Sequence, residues 1–331
     1  MSRAMTWWLS LVPLFFVLGS FASPPSWGSS AIPFSPGFDI SAVLSLAISL
    51  PSHSWEFGTA AEALLELYDA PYSVYGEKPF PIPRLSPSSS SPVYSTALDY
   101  AKQKIVIGTP PNGLSDGDGA VGDPASLGVA ALLLGVSDEK YKVAVEAEIE
   151  YLLEGAPRWS NEAISHRAAY AELWADFMYM APPFMAYYGA VTSNATVLRA
   201  AVDQCHLYHQ VLLTNTTSYS ANPPSMHPPS AGGLWVHIVG PENADPGLWS
   251  TGNAWAAAGM MRVLATVLKA PRATFKAGSA LSSAWRHTAI ADLTRMISDI
   301  LDAAIRLQPQ AQAEGYGGGG KRKGASEELP R

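Results

Sequence analysis

Apolar residues recur at the i, i+3, i+4 spacing of a helix face in nine stretches, and this period predicts helices over 40–50, 58–69, 94–106, 124–135, 138–155, 171–190, 195–213, 252–269 and 280–307. No alternating run interrupts them strongly enough to predict a strand ladder. Gly, Pro and Asn turns separate longer from shorter helices, which is the pattern of an all-α fold assembled from αα-hairpins. Such hairpins either ring a central cavity as a toroid or stack as a solenoid, and the short sequence repeats of solenoids are missing, which favours the toroid.

Between the helices lie two proline-rich loops, 77–92 and 218–233, where Pro forbids helix continuation. From about Gln308 the apolar periodicity ends, so the Gly-rich tail 308–331 is expected to be disordered. At the other end, Arg3 precedes an apolar run from Met5 to Leu18 and small residues up to Ala22, the pattern of a secretory signal over residues 1–22. That leaves a domain of 23–307 in a secreted, extracellular protein with no membrane attachment after signal cleavage. Two sequons, Asn194-Ala-Thr196 and Asn215-Thr-Thr217, suit export. Cys205 is the single cysteine, so packing rather than intramolecular disulfides must hold the chain together.

Composition narrows the partners. A formal net charge of −7 with 15% charged residues leaves no concentrated basic face for nucleic acid, and the one basic cluster, Lys321-Arg-Lys323, lies in the tail. Ten Trp, fourteen Tyr and ten Phe offer flat apolar faces of the kind that stack on sugars as well as filling cores. Several motifs fail on their context. Gly117-Asp-Gly119-Ala-Val-Gly122 matches a dinucleotide fingerprint, but no buried strand leads directly into it, and Asp118 and Asp123 would repel a pyrophosphate. Asp116, Asp118 and Asp123 miss the spacing of a helix-loop-helix calcium site, and a turn in which Asp123 caps the next helix is the competing reading. Cys205-His206-Leu-Tyr-His209 lacks the further ligands that zinc needs. Serine-hydrolase, zinc-protease and ATPase signatures are absent, so neither a metal nor a cofactor is expected.

One feature carries chemistry. Between Glu172 and Arg199 the only charged residue is Asp176, set in Leu173-Trp-Ala-Asp176-Phe-Met-Tyr-Met180-Ala-Pro-Pro-Phe184. An ionised carboxylate among aromatics and methionines costs several kcal/mol unless it is paired or takes up a proton, and a carboxyl in such a pocket becomes a usable acid near neutrality. The competing reading is a structural Asp that caps a helix or pairs with a distant base.

Together with Ala156-Pro-Arg158 and Ile164-Ser-His166-Arg167, the Asp176 run resembles the unsaturated rhamnogalacturonyl and glucuronyl hydrolases of glycoside hydrolase families 105 and 88. Gly233-Leu-Trp-Val-His237 followed by Trp249-Ser-Thr-Gly-Asn253-Ala-Trp255 resembles the second signature of those families, and the resemblance spans roughly Trp55 to Leu307. It implies an (α/α)6 six-hairpin barrel with the active site at one mouth, here expected to be incomplete at the C-terminus because the chain turns glycine-rich after about Leu307. It implies an oligosaccharide substrate ending in a 4,5-unsaturated uronic acid, left by a polysaccharide lyase acting on a pectin-like polymer. Asp176 would protonate C4 and then activate the water that adds at C5, one residue serving as acid and then base. Asp123 matches a polar position of the same pocket; His166 and Arg167 would hold the substrate carboxylate; His237 matches a pocket histidine. Trp174, Met180, Trp249, Asn253 and Trp255 fall in the two motifs that wall the sugar site. Thr251 stands where the second motif carries Arg. The alternatives are a non-catalytic carbohydrate-binding barrel and a conventional glycosidase using Asp176 and Asp123.

Overall fold

The computed structural model describes residues 37–83, 96–215, 226–275 and 281–313, and its regular structure is almost all helix, joined by long loops. The signal segment 1–22, residues 84–92 of the first proline-rich loop, residues 218–225 of the second, and the tail from 314 lie outside the described residues. Ten α-helices are described: α1 (Ile40–Ser49), α2 (Ser54–Tyr68), α3 (Thr96–Lys104), α4 (Gly122–Ala125), α5 (Gly128–Leu134), α6 (Glu139–Glu150), α7 (Phe177–Val191), α8 (Ala195–Leu212), α9 (Ser250–Lys269) and α10 (Ser283–Ala313).

Four features depart from the periodicity. The stretch expected as one helix over 124–135 is two, because the chain breaks at Ser126 and Leu127 between α4 and α5. The stretch over 138–155 ends in a π turn, Tyr151–Gly155. Residues 171–176, expected to begin a helix, are extended: β1 (Leu173–Trp174) pairs antiparallel with β2 (Ile238–Val239), and α7 starts only at Phe177. Backbone bonds from the loop rather than side-chain period decide this segment, since His166 N–H donates to Glu172 O (2.7 Å) and Ala175 N–H to His237 O (3.0 Å). Finally, α10 runs to Ala313, past the expected loss of order at Gln308.

The helices form hairpins, α2/α3, α4–α5/α6, α7/α8 and α9/α10, four among the described residues. Paired contacts give the sense of the inner layer. Gly122 lies against Phe177 and Met180, while Gly128 lies against Phe184, so α4–α5 and α7 run parallel. On α2 and α9, Trp55 meets Trp255 near the start and Glu66 meets Arg262 further along, so these also run parallel. Four inner helices therefore point their N-termini to one end, and each returns through an outer helix. Phe177, Phe184, Tyr187, Tyr208 and Trp235 fill the space between the layers with fully buried rings, worth about 1.5–3 kcal/mol for each large side chain.

Helix α7 is the centre of this packing, buried along nearly its whole length. Pro182 removes the N–H that would bond Met178 O. That carbonyl faces α9 at Gly259, where an added Cβ would sit 1.9 Å from it, so only glycine admits the approach of the two helices.

Glu148 on α6 is fully buried with neither carboxyl oxygen hydrogen-bonded, and burial pushes its pKa up to about 8. A carboxyl raised in this way holds its proton more tightly folded than unfolded. Its contribution is complete below the ordinary value of 4.5 and is lost as pH climbs through about 8. Thermal melts from pH 6 to 9 should therefore show wild-type stability falling by up to a few kcal/mol more than that of Glu148→Gln, whose amide does not titrate. Parallel profiles for the two proteins would count against this burial.

Candidate active site

The inner N-termini bring the two aspartates together. Asp176 occupies the N-cap of α7 in helical backbone geometry (φ −55°, ψ −40°) and makes no capping hydrogen bond, so its carboxyl is not spent on its own helix. Asp123 lies inside the first turn of α4 rather than at its cap, which is Val121; the capping role open at the sequence level is not realised. The Asp123 and Asp176 side chains are 15% and 18% exposed, sheltered yet open to a ligand. Burial drives the Asp123 pKa up to about 7, the charge of Asp176 adds to this, and Arg167 opposes it. The two carboxyls thus share one field, and Asp123 holds its proton well above the usual carboxylate range.

His166 is held between them and the wall. Its ring stacks on Trp174 (centroids 4.8 Å, 27°) and its Nε2 is 3.9 Å from Asp123 Oδ1. Burial lowers its pKa to about 4, so it is neutral and could hold a substrate carboxylate only as a hydrogen-bond donor, not as a cation. The charge falls to Arg167 alone. Its guanidinium sits 6.0 Å over Trp174 and donates to Asp118 O (3.0 Å), across Gly119, whose φ of +75° and contact with Arg167 Nη2 exclude a side chain.

Trp174 is fixed from behind by a residue the sequence did not reveal. Its indole N–H donates to Glu172 Oε2 (2.7 Å), and the same buried carboxylate accepts from the N–H groups of Glu242 (3.1 Å) and Asn243 (2.8 Å) and from Asn243 Nδ2 (2.9 Å). Burial pushes the Glu172 pKa up, but these bonds outweigh it and hold it below the usual carboxylate range. Glu172 therefore ties Trp174 to the loop after β2 without a counter-cation.

On the opposite side His237 Nε2 faces Asp176 Oδ2 at 3.4 Å, while Nδ1 is 2.8 Å from Asp245 Oδ2. Burial depresses the His237 pKa, yet hydrogen bonding to Asp176 and Asp245 more than offsets this and raises it. Trp249, the N-cap of α9 and 39% exposed, packs its ring 4.5 Å from His237. Trp255 lies a turn and a half further on, edge-on to Tyr179 (4.5 Å) and Trp55 (6.3 Å). Met180 is buried against Gly122 and is floor rather than wall. Asn253 differs from its expected role. Its amide exchanges bonds with Trp235 N–H (2.8 Å) and Trp235 O (2.9 Å) and donates to Trp249 O (3.1 Å), so it positions the 235–249 segment instead of facing a ligand.

The Cys205-to-His209 pattern is dispersed. The Cys205 thiol donates to Ala201 O, His206 pairs with Asp292 at 3.3 Å, and His209 lies edge-on to Trp235. Among the described residues no group of three or more His, Cys, Asp or Glu could hold a metal ion, and no described helix is long and apolar enough to cross a membrane.

Residues 127–284 match Glycosyl Hydrolase Family 88, a span that includes Asp176, His166 and His237 and begins just after Asp123. Among solved structures, a family 105 glycoside hydrolase of C. acetobutylicum aligns with a TM-score of 0.55 at 16% identity, over 83% of this chain and 68% of that one. Possible members of the GH105 family from Salmonella enterica and Klebsiella pneumoniae align at 16% and 18% identity, both with a TM-score of 0.41, over 54% and 57% of this chain and 42% and 43% of theirs. No curated protein matches by sequence. By its match across residues 127–284 and its all-α fold, the chain resembles the glycoside hydrolases of families 88 and 105, and these findings support a glycoside hydrolase.

Proposed function

We propose that the protein hydrolyses oligosaccharides that end in a 4,5-unsaturated uronic acid, and the observation that carries this reading is the convergence of Asp176, Asp123 and His237 between Trp174 and Trp249. Protonation of the vinyl ether at C4 by Asp176 leaves positive charge shared by C5 and the ring oxygen. Water adds at C5 and returns its proton to the Asp176 carboxylate. The hemiketal then opens, releasing the aglycone with its hydroxyl restored. Asp123, its pKa raised by burial and by Asp176, hydrogen-bonds substrate or water whether or not it carries its proton. The uronate carboxylate needs a local positive field in a chain of net charge −7. Arg167 supplies it, and so do the N-terminal ends of α7 and α9, neither of which is capped by its own N-cap side chain. The last of these supports binding where Thr251 replaces the arginine of the resembled motif.

Incubation of the folded protein with lyase-generated unsaturated disaccharides should remove the ultraviolet absorbance of the double bond. Stable absorbance across a panel of pectin-derived and glycosaminoglycan-derived disaccharides would refute the reading. One observation favours a second reading. A carboxyl at about 7 beside a second carboxylate is also the acid and partner of a conventional glycosidase, and hydrolysis of a saturated glycoside with the unsaturated one untouched would select it.

A further inference from the structure

His237 is held from two sides. Beyond its ion-pair contact with Asp176, its Nδ1 meets Asp245 Oδ2 at 2.8 Å, and Asp245 is itself locked in a tight hairpin. Ile238 and Asp245 exchange both backbone bonds (2.9 and 3.1 Å), His237 N–H donates to Gly247 O (3.0 Å), and Asp245 Oδ1 accepts from Gly247 N–H (2.8 Å). Glu172 ties the turn of that hairpin through Glu242 and Asn243. We propose that Asp245 is a positioning residue for the hydrolysis: it keeps the proton of His237 on Nδ1 and so presents Nε2 to the Asp176 carboxyl.

The physical basis is the geometry of a carboxylate–imidazole–carboxylate chain. Only an acceptor at Nδ1 makes Nδ1–H the stable tautomer, leaving Nε2 free to exchange a hydrogen bond with Asp176 as that residue loses and regains its proton. When Asp176 gives its proton to C4 the trio becomes one unit more negative, and when water returns that proton the carboxylic acid is restored with Nε2 in place to accept from it; His237 keeps its own proton on Nδ1 throughout. The other groups around the ring do not compete for either nitrogen. His166 is neutral, Trp174 and Trp249 are apolar toward the imidazole, and Arg167 is engaged with Asp118 O. Asp245 sits in the open, its side chain 49% exposed, so it acts through His237 without entering the pocket.

The inference rests on the hydrolase reading, and the test separates the two. Nitrogen-edited NMR of the imidazoles, with His237→Gln assigning the signal, should show His237 in wild type with its neutral form protonated at Nδ1. In Asp245→Asn its pKa should fall by about one unit, as expected for loss of one adjacent opposite charge. On unsaturated substrate kcat should drop about tenfold or more with KM little changed, the pH profile should shift in step with the His237 titration, and Asp245→Glu should restore part of the loss. An unchanged His237 titration in Asp245→Asn would overturn the inference, and so would a shifted titration with unchanged kcat. A wild-type protein inert to every unsaturated substrate would sink the hydrolase reading alone, because the NMR result still decides whether Asp245 sets the tautomer.

Discussion

Asp176→Asn should lose turnover by about a thousandfold, within the 10²–10⁴ that a positioned proton donor contributes, while the helical signal and melting temperature stay near those of wild type. The asymmetry follows from where the residue sits. Asn is as good as Asp at a helix N-cap, and Asp176 makes no capping bond that could be lost, so α7 is not weakened. The substituted amide keeps the size of the carboxyl but can neither release a proton to C4 nor take one from water. KM should move little, because in the proposed mechanism the carboxyl acts at C4 and C5 and not on the remote sugar. Initial rates at saturating unsaturated disaccharide, read from loss of the alkene absorbance, check this. Residual turnover within tenfold of wild type would remove Asp176 from the chemistry and shift attention to Asp123.

The second large effect concerns the seam between α2 and α9. Arg262 is buried there, paired with Glu66 at 2.6 Å, and its guanidinium lies 4.4 Å over Tyr179 and 5.8 Å over Tyr75. Burial raises the pKa of Glu62 to about 7 and lifts that of Glu66, and in both cases Arg262 opposes the rise. Arg262→Ala removes the cation from two sheltered carboxyls, and breaking a buried pair from one side costs about 3–5 kcal/mol. The sign with pH is defined. Without Arg262 both folded-state pKa values move further above their ordinary 4.5, so the folded state binds protons that the unfolded state does not, and stability falls as pH rises. The variant should therefore melt well below wild type at pH 8 and recover part of the difference at pH 5. Equal deficits at both values would show that lost packing over Tyr75 and Tyr179, rather than charge, dominates the seam.

Helices with a continuous apolar stripe were legible one by one. The ranges read for α1, α8 and α9 agree with the structure to within two residues at each end, because a period of 3.6 survives wherever one face is buried. The misreadings share a cause. Residues 124–135 are apolar on nearly every side, and a stretch without a polar face carries no phase by which a helix or a break can be told apart, while 171–176 are too short to separate a helix period from a strand period. Bonds to distant segments decide those places, as with His166 N–H to Glu172 O.

The same division runs through the site. Asp176 stood out because a lone charge in a greasy run is costly, and that cost is written in composition. His166, His237, Trp174 and Trp249 came from motif resemblance, and the structure gathers them around Asp176. Asn253, in the same motif, turned out to bond backbone, a distinction that residue type cannot express. Glu172, Asp245, Glu62, Glu66 and Arg262 gave no signal, since each looks like an ordinary charge until its partner arrives from 8 to about 200 positions away.

What the order of residues determined by itself is the helical character, the hairpin rhythm and the position of the one carboxyl whose setting demands a reason, since all three depend on local spacing and local transfer cost. What only the folded arrangement decided is ionisation. Asp123 rises to about 7, His166 drops to about 4, and His237 is drawn upward, because desolvation and the field of neighbouring charges act through space, over a few ångströms, between segments that the chain keeps far apart.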